Sequence, residues 1–182
     1  MEDYIKAKGW MNTYSGEIFY IFEPDIEKIN IQDIAHALSM ICRFNGHVKK
    51  FYSVAQHSVL VSHICSPKYA LEGLMHDATE SYCGDMIRPL KCFFPDFKKH
   101  ELIIEQAIWK KFNLIKSKKM YDEVKRADDI ALVTEARDLL PNAINLKLDH
   151  KALDKKIIPL SPGVAKKKFL QRFEELKDAR KI

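Results

Sequence analysis

The spacing of apolar residues along the chain predicts a mostly helical protein. Apolar side chains recur three and four residues apart, as in Ile34, Leu38 and Ile41, and this spacing places them on one face of a helix. Ser53, followed three residues later by Gln56, forms a capping-box pattern that marks a helix start. The predicted helices span residues 31–43, 53–64, 67–81, 95–114, 117–140 and 164–181.

The first thirty residues follow a different pattern. The stretch NTYSGEIFYIF is aromatic and β-branched on either side of Ser15-Gly16, which favours a short hairpin. A chain of 182 residues fits one domain. We therefore predict a single domain over residues 1–182, all-α, a helical bundle whose residues 1–30 form a small N-terminal β element.

Composition narrows the classes of function. The chain has 30 basic and 25 acidic residues, and its basic residues form no stripe interleaved with aromatic ones, so we do not expect nucleic-acid binding. The N-terminus lacks the apolar run of a signal peptide, and no stretch approaches the length of a membrane span. The four cysteines show no C-x-x-C spacing and are expected to be reduced. A cytoplasmic protein without a membrane partner is expected.

Ionisable residues occur inside three of the predicted helices. His57 lies in SVAQHS, His76-Asp77 in LMHDATE and Asp128 in KRADDIAL. Taken singly, His57 fits a hydrogen-bonded core histidine, and Asp128 fits a surface residue. The adjacent pair His76-Asp77 is harder to explain, because buried charges without partners are costly. Together, two imidazoles and two carboxylates suit one divalent transition metal.

The ordered set H…HD…D resembles the HD-domain phosphohydrolase superfamily. The segments VAQHS, MHDATESYCGD, RPLK and KRADDIAL together are similar to bacterial 5′-deoxynucleotidases and to phage and prophage HD phosphohydrolases, which include dATP triphosphohydrolases. The stretch from Asp33 to Ser58 looks most like the phage and prophage branch. The resemblance implies an HD-domain bundle that forms a homo-oligomer, a dimer or a hexamer, in the host cytoplasm if a phage encodes it.

The resemblance also implies a set of metal ligands and a reaction. His57, His76, Asp77 and Asp128 would bind one divalent ion, Co²⁺, Mn²⁺ or Zn²⁺, with Fe²⁺ also compatible, and a triphosphate substrate could bring an additional Mg²⁺. Glu80 would then orient or deprotonate the attacking water, because its spacing places it on the same helical face as the ligands. The alternative is that Glu80 has neither role and is a surface residue near a helix end.

Other residues are candidates for the substrate site. Asp85 would assist the water or fix the sugar; otherwise it caps the next turn. Arg43, Lys91 and Lys125 would hold phosphate oxygens, although any single lysine is more simply a solvent-facing one. Phe44 follows Arg43 where the similar proteins carry an aromatic residue against the nucleoside.

These observations leave several functions open. The first is a dATP triphosphohydrolase releasing deoxyadenosine, and the second is a 5′-deoxynucleotidase acting on deoxynucleoside monophosphates. A cyclic-nucleotide phosphodiesterase is disfavoured, since the sequence lacks a further ordered histidine pair. A non-catalytic interaction protein on the same scaffold would be expected to have lost ligands, and all four are present.

Overall fold

The N-terminal part of the chain forms the predicted hairpin. The computed structural model describes residues 9–142 and 149–180, so the first eight residues of the predicted extension lie outside the described residues. Strands β1 (Trp10–Asn12) and β2 (Ile18–Tyr20) pair antiparallel, with Met11 opposite Phe19. Gly16 has a φ of 90° in the turn, a conformation that glycine adopts without steric cost.

Helices make up most of the remaining chain, so the predicted all-α architecture with a small β element is confirmed. Short 3₁₀ turns occur at Ile26–Lys28 and Arg43–Gly46. In chain order the α-helices are α1 (Ile31–Met40), α2 (Val54–Ile64), α3 (Ala70–Met75), α4 (Glu80–Cys83), α5 (Arg88–Lys91), α6 (Pro95–Lys111), α7 (Lys118–Leu139) and α8 (Pro162–Arg180).

Helix α2 is the centre of the bundle. It packs against α1, α3, α7 and α8, and its residues Val54, Ala55 and Val61 are fully buried. The main core joins Phe19 of the hairpin, Ile34 of α1, Leu74 of α3, Ile104 of α6 and Phe169 of α8. Ile104 and Phe169 are fully buried, so α6 and α8 each turn an apolar face toward this core.

A second apolar cluster lies between α2 and α7. Val61 of α2 meets Met120, Val124 and Ala127 of α7, while Tyr69 closes the cluster beside α3. The repeat of Met120, Val124, Ala127 and Ala131 gives α7 a buried stripe over three turns. This stripe fixes the rotation of α7 and therefore the direction in which Asp128 points.

Helix α1 ends at Met40, not at Arg43 as the pattern predicted. Ile41 has extended backbone angles, and the following residues pair with the start of α2. Arg43 N donates to Tyr52 O at 2.9 Å, and Val54 N donates to Ile41 O at 3.0 Å. These bonds to residues 52–54 replace the last helical turn, because they satisfy the backbone groups that a helix would have used.

The predicted capping box at α2 is half formed. Ser53 Oγ accepts from Gln56 N at 3.2 Å, which confirms the cap. The Gln56 side chain does not return to the cap; it donates to Ile158 O and accepts from Leu160 N, each at 2.8 Å. Gln56 therefore anchors the segment that precedes α8.

The prediction of one helix over residues 67–81 is wrong. Helix α3 begins at Ala70 and ends at Met75, and α4 begins only at Glu80. Between them the chain forms tighter turns, in which Glu80 N donates to Asp77 O at 3.0 Å. His76 and Asp77 thus lie at a break between two helices.

Two further expectations concern cysteines and membranes. Cys42, Cys65 and Cys83 are free thiols, as expected for reduced cysteines. Across residues 9–142 and 149–180, no helix has both the length and the apolar character needed to cross a membrane.

Candidate metal centre

Four of the predicted site residues meet between α2, α7 and the break after α3. His57 Nε2 lies 3.2 Å from His76 Nε2 and 3.4 Å from Asp128 Oδ1. Ligand atoms of these three residues all lie within 4.8 Å of one another. Asp77 Oδ2 lies 3.2 Å from His76 Nε2 and 3.5 Å from His57 Nε2. Asp77 thus adjoins both histidines, while the group with mutually close ligand atoms consists of His57, His76 and Asp128.

Close packing of α3 on α2 brings the two histidines together. Gly73 faces α2, and a Cβ atom at this position would lie 2.7 Å from Cys65 Sγ and 3.3 Å from Ser62 Cα. Any larger residue would push the helices apart. Gly73 therefore permits the short distance between His57 and His76.

The Nδ1 atom of each histidine forms a hydrogen bond with a group outside the cluster of proposed ligands. His76 Nδ1 lies 2.8 Å from Gly73 O, which can only accept, so Nδ1 carries the proton. His57 Nδ1 lies 2.6 Å from Glu135 Oε1, where it also donates. Both Nε2 atoms consequently point toward each other and toward two carboxylates, and in the metal-free protein the Nε2 proton of His57 lies where a cation would bind. Such a convergence of acceptors is favourable around a cation, and this donor set fits a divalent transition metal.

Glu135 is a site residue that the sequence analysis missed. It is fully buried on α7. Besides His57, it contacts Arg43, whose Nη2 donates to Glu135 Oε2 at 3.0 Å. Glu135 follows Asp128 by seven residues, two turns of the same helix, so the two share a face. That spacing from a predicted ligand is the signal that could have found it.

The carboxylates of the cluster are held ionised. Burial alone would raise the pKa of Asp77, but His76, His57 and Arg43 hold it well below its usual range. Burial likewise opposes ionisation of Asp128, yet its hydrogen bond to His57 lowers the pKa to about 2. Burial is also outweighed at Glu135, where Arg43 and His57 lower the pKa.

The cluster as a whole is anionic. Asp77, Asp128 and Glu135 carry three negative charges against the single guanidinium of Arg43. Burial and Arg43 disfavour the imidazolium of His57, yet Glu135 and Asp128 raise its pKa to about 9. With His57 protonated the surplus is one negative charge, and it becomes two when an ion displaces the His57 proton, so a dication would neutralise it.

Glu80 and Asp85 lie within electrostatic reach of the ligands. Burial, then Asp77 and Asp85, raise the pKa of Glu80 to about 9. Glu80 Oε2 is buried without a hydrogen-bond partner among the described residues. Burial also raises the pKa of Asp85, an effect that Arg43 opposes. The structure places both predicted catalytic carboxyls beside the cluster, on α4 and just after it.

Arg43 begins a strained turn. Phe44 and Asn45 have φ values of 55° and 51°, which L-residues with large side chains rarely adopt. Each such residue costs about 1–2 kcal/mol. The guanidinium of Arg43 lies 5.5 Å from the ring centroid of Phe44 and 3.6 Å, at Nη1, from Asp77 Oδ2. The turn thus presents Arg43 and Phe44 together at the cluster.

The two predicted lysine anchors differ in position. Lys125 Nζ lies 3.9 Å from Asp128 Oδ2 and also pairs with Asp129, so it borders the cluster. Lys91 Nζ lies 2.6 Å from Glu101 Oε1, which satisfies its charge. The charge of Lys91 also acts on Asp85 and Glu80, whereas Lys125 pairs with the proposed ligand Asp128 itself.

Comparison with known proteins places the chain in a family. No protein-family model matches it. It is 43% identical over 179 residues to the uncharacterized protein YfdR of Escherichia coli K12, a match covering 94% of this chain and 98% of YfdR. The chain belongs to the YfdR family. An uncharacterized protein of Rhodobacter capsulatus is 37% identical over 93 residues, which is 46% of this YfdR-family chain and 47% of that protein.

Proposed function

We propose that this YfdR-family protein is a metal-dependent phosphohydrolase of 2′-deoxynucleotides, of the HD-domain type that its motifs resemble. The observation that carries the proposal is the convergence of His57 Nε2, His76 Nε2 and two carboxylates, with both Nδ1 atoms turned outward. A core built only for stability would pair these acceptors with donors.

The proposed ligands are His57, His76, Asp77 and Asp128, and the ion is Co²⁺, Mn²⁺ or Zn²⁺. When bound, such an ion polarises a phosphoryl oxygen and makes water acidic enough to react near neutral pH. Glu135 keeps the His57 ring oriented, with Nε2 toward the ion.

Arg43 is the proposed phosphate anchor. Its Nη atoms engage Glu135 and Asp77, while its Nε is buried without a partner in the described part of the chain. A phosphoryl oxygen would satisfy this donor, and the guanidinium would stabilise the negative charge of the transition state. Lys125 adds a cation next to Asp128, and Lys91 adds one whose charge acts on Asp85 and Glu80.

Glu80 is the proposed proton acceptor, and Asp85 supports it. A general base must be ionised, and the raised pKa of Glu80 comes from burial and from the negative charge of Asp77. A dication at the ligand cluster would lower this pKa toward neutrality, where a base is most effective.

The proposed substrate is dATP, hydrolysed to deoxyadenosine and phosphate product with a possible additional Mg²⁺ on the triphosphate. The likeness of residues 33–58 to phage enzymes supports this choice. Dephosphorylation of deoxynucleoside monophosphates is the second candidate, since Arg43 and Lys125 suit a single phosphate equally well. We propose that the protein acts in the cytoplasm on free nucleotides, as a dimer or hexamer.

The test combines metal analysis with a nucleotide panel. Protein purified without chelators is assayed for bound metal and then incubated with each dNTP and dNMP in the presence of Mn²⁺, Co²⁺ or Zn²⁺. We expect about one ion per chain and release of deoxynucleoside or phosphate. The Asp122→Asn variant, altered on the exposed face of α7, is the matched control. Turnover of none of these nucleotides would refute the proposal and favour a non-catalytic interaction protein.

A further inference from the structure

A small cavity opens directly beside the candidate metal centre. It has a volume of about 180 Å³ and is bounded by α3, α6 and α7. His76 and Asp128 line both the cavity and the metal centre. Sites for whole drug-sized ligands usually measure about 300–1,000 Å³. The cavity is therefore sized for one part of a substrate whose remainder lies at the ligand cluster.

The wall of the cavity suits a flat ring. Trp109 and Tyr121 stack with centroids 5.4 Å apart and with only 19° between their planes. Leu114, Met120 and Val124 add apolar surface around them. Apolar and aromatic walls of this kind bind planar heteroaromatic groups by dispersion and by removing their faces from water.

One carboxyl in this wall, that of Glu105, has no hydrogen-bond partner among residues 9–142 and 149–180. Glu72 also lines the cavity, but it is fully paired with Arg180, and Asp128 belongs to the metal centre. Glu105 forms no hydrogen bond or ion pair with any residue in the described part of the chain. Burial raises its pKa, while Lys116 opposes this shift. A half-buried carboxyl inside a cavity is stabilised if a ligand supplies its partner.

We propose that this cavity receives the nucleobase of the substrate and that Glu105 selects adenine or cytosine. The proposal rests on the proposed function, because the phosphate at the metal centre determines that the base is the part that enters the cavity. The Glu105 carboxyl accepts a hydrogen bond from the exocyclic amino group. In its protonated form it also donates to the adjacent ring nitrogen, so both oxygens are used.

The decisive probe is a base that lacks only the amino group. Binding is followed by quenching of Trp109 fluorescence in a Trp10→Phe background, which removes the other tryptophan. The ligands are 2′-deoxyadenosine and purine 2′-deoxyriboside, the same compound without the amino group. We expect the full-length protein to bind 2′-deoxyadenosine about tenfold more tightly, the effect of one hydrogen bond to a buried polar group.

Substitutions at Glu105 test its role. Glu105→Leu should abolish the preference for the amino compound. Glu105→Gln should retain it, because the amide also presents one acceptor and one donor. Asp122→Asn, a change of charge on the exposed surface of α7, should behave like the parent protein. Equal binding of both nucleosides by the parent, or a preference that survives in Glu105→Leu, would overturn the proposal.

An activity assay distinguishes the proposed base pocket from the proposed phosphohydrolase function on which it rests. If deoxynucleotides are hydrolysed at equal rates whatever their base, the phosphohydrolase stands and the base pocket is wrong. If the nucleoside preference is found and depends on Glu105 but no deoxynucleotide is hydrolysed, the pocket stands and the proposed reaction is wrong.

Discussion

Two buried carboxylate sites lie one turn apart on the chain and differ in how their charge is satisfied. Glu72 of α3 is 2% exposed and pairs with both terminal nitrogens of Arg180, one of them at 2.8 Å. Its Oε1 also accepts from Ile115 N at 2.7 Å. Glu72 therefore accepts three hydrogen bonds from the protein itself, with at least one on each carboxylate oxygen.

The metal centre, which begins four residues later at His76, is different. Its acceptors outnumber its donors: His76 Nε2 and the oxygens of Asp77 and Asp128 converge on His57 Nε2, and Arg43 approaches from one side. A buried charge that is already paired stabilises one conformation of the chain. A surplus of acceptors needs a cation from outside, and this contrast separates the two sites more clearly than burial does.

The largest expected effect comes from removing a ligand. Asp77→Asn should lower deoxynucleotide hydrolysis by more than about 10³-fold, because the substitution removes both a ligand and a charge that the ion requires. Bound metal, measured by elemental analysis, should fall in parallel. Unchanged metal content together with full activity in Asp77→Asn would mean that the cluster is not the reaction site.

The next largest effect is expected at the buried ion pair between Glu72 and Arg180. Arg180→Met leaves the buried carboxylate of Glu72 without its partner and should lower the free energy of unfolding by about 3–5 kcal/mol. Metal content should not change. The double variant Glu72→Gln with Arg180→Met should recover part of this loss in a denaturant titration. A loss of metal in Arg180→Met would break the distinction between the two sites.

Much of the fold could be predicted because its signals are local. The hairpin around Gly16, the cap at Ser53 and the buried faces of α6 and α8 all follow from short-range periodicity. The four proposed ligands were found for the same reason, since each is an ionisable residue in an apolar helical context. Their convergence needed the resemblance, because periodicity gives a face but not the neighbouring helix.

The features that could not be predicted depend on contacts between residues that are distant in sequence. Glu135 reads as one of several acids on α7, and its burial is tolerable only because Arg43, 92 residues away, pairs with it. The early end of α1 depends on backbone bonds to residues 52–54. The break after Met75 has an unremarkable helical composition and forms where His76 turns its Nδ1 to Gly73 O.

A smaller effect is expected from a substitution at Glu135, which hydrogen-bonds the proposed ligand His57. Glu135→Gln keeps an acceptor for His57 Nδ1–H but removes the charge that orients and polarises the imidazole. Metal affinity, measured by competition with a chelating dye, should fall about 10–100-fold. Glu123→Gln, which alters a carboxylate on the same helix that accepts from Ser66 N, is the matched control. Equal affinities in both variants would make Glu135 a structural residue only.

The smallest expected effect is a change in folding stability. Its sign differs between Glu80→Gln, which should stabilise the protein, and Glu72→Gln, which should destabilise it. The carboxyl of Glu80 has an ordinary pKa of 4.5 and a pKa of about 9 in the folded protein. Between these values the unfolded chain ionises more readily, so Glu80 lowers the stability of metal-free protein as pH rises from about 4.5 to 9. Glu80→Gln cannot ionise and should raise the stability by about 1–3 kcal/mol at pH 8, and by little at pH 5.

Thermal unfolding in a chelator at both pH values measures this difference between Glu80→Gln and the parent protein. Glu72→Gln should destabilise the protein, because it weakens a satisfied ion pair. Added Mn²⁺ should reduce the advantage of Glu80→Gln, because a nearby dication favours the carboxylate. A gain that is the same at pH 5 and pH 8 would show that packing, not the unpaired charge, determines the effect. Glu80 would then belong with Glu72 as a structural acid and not with the metal centre.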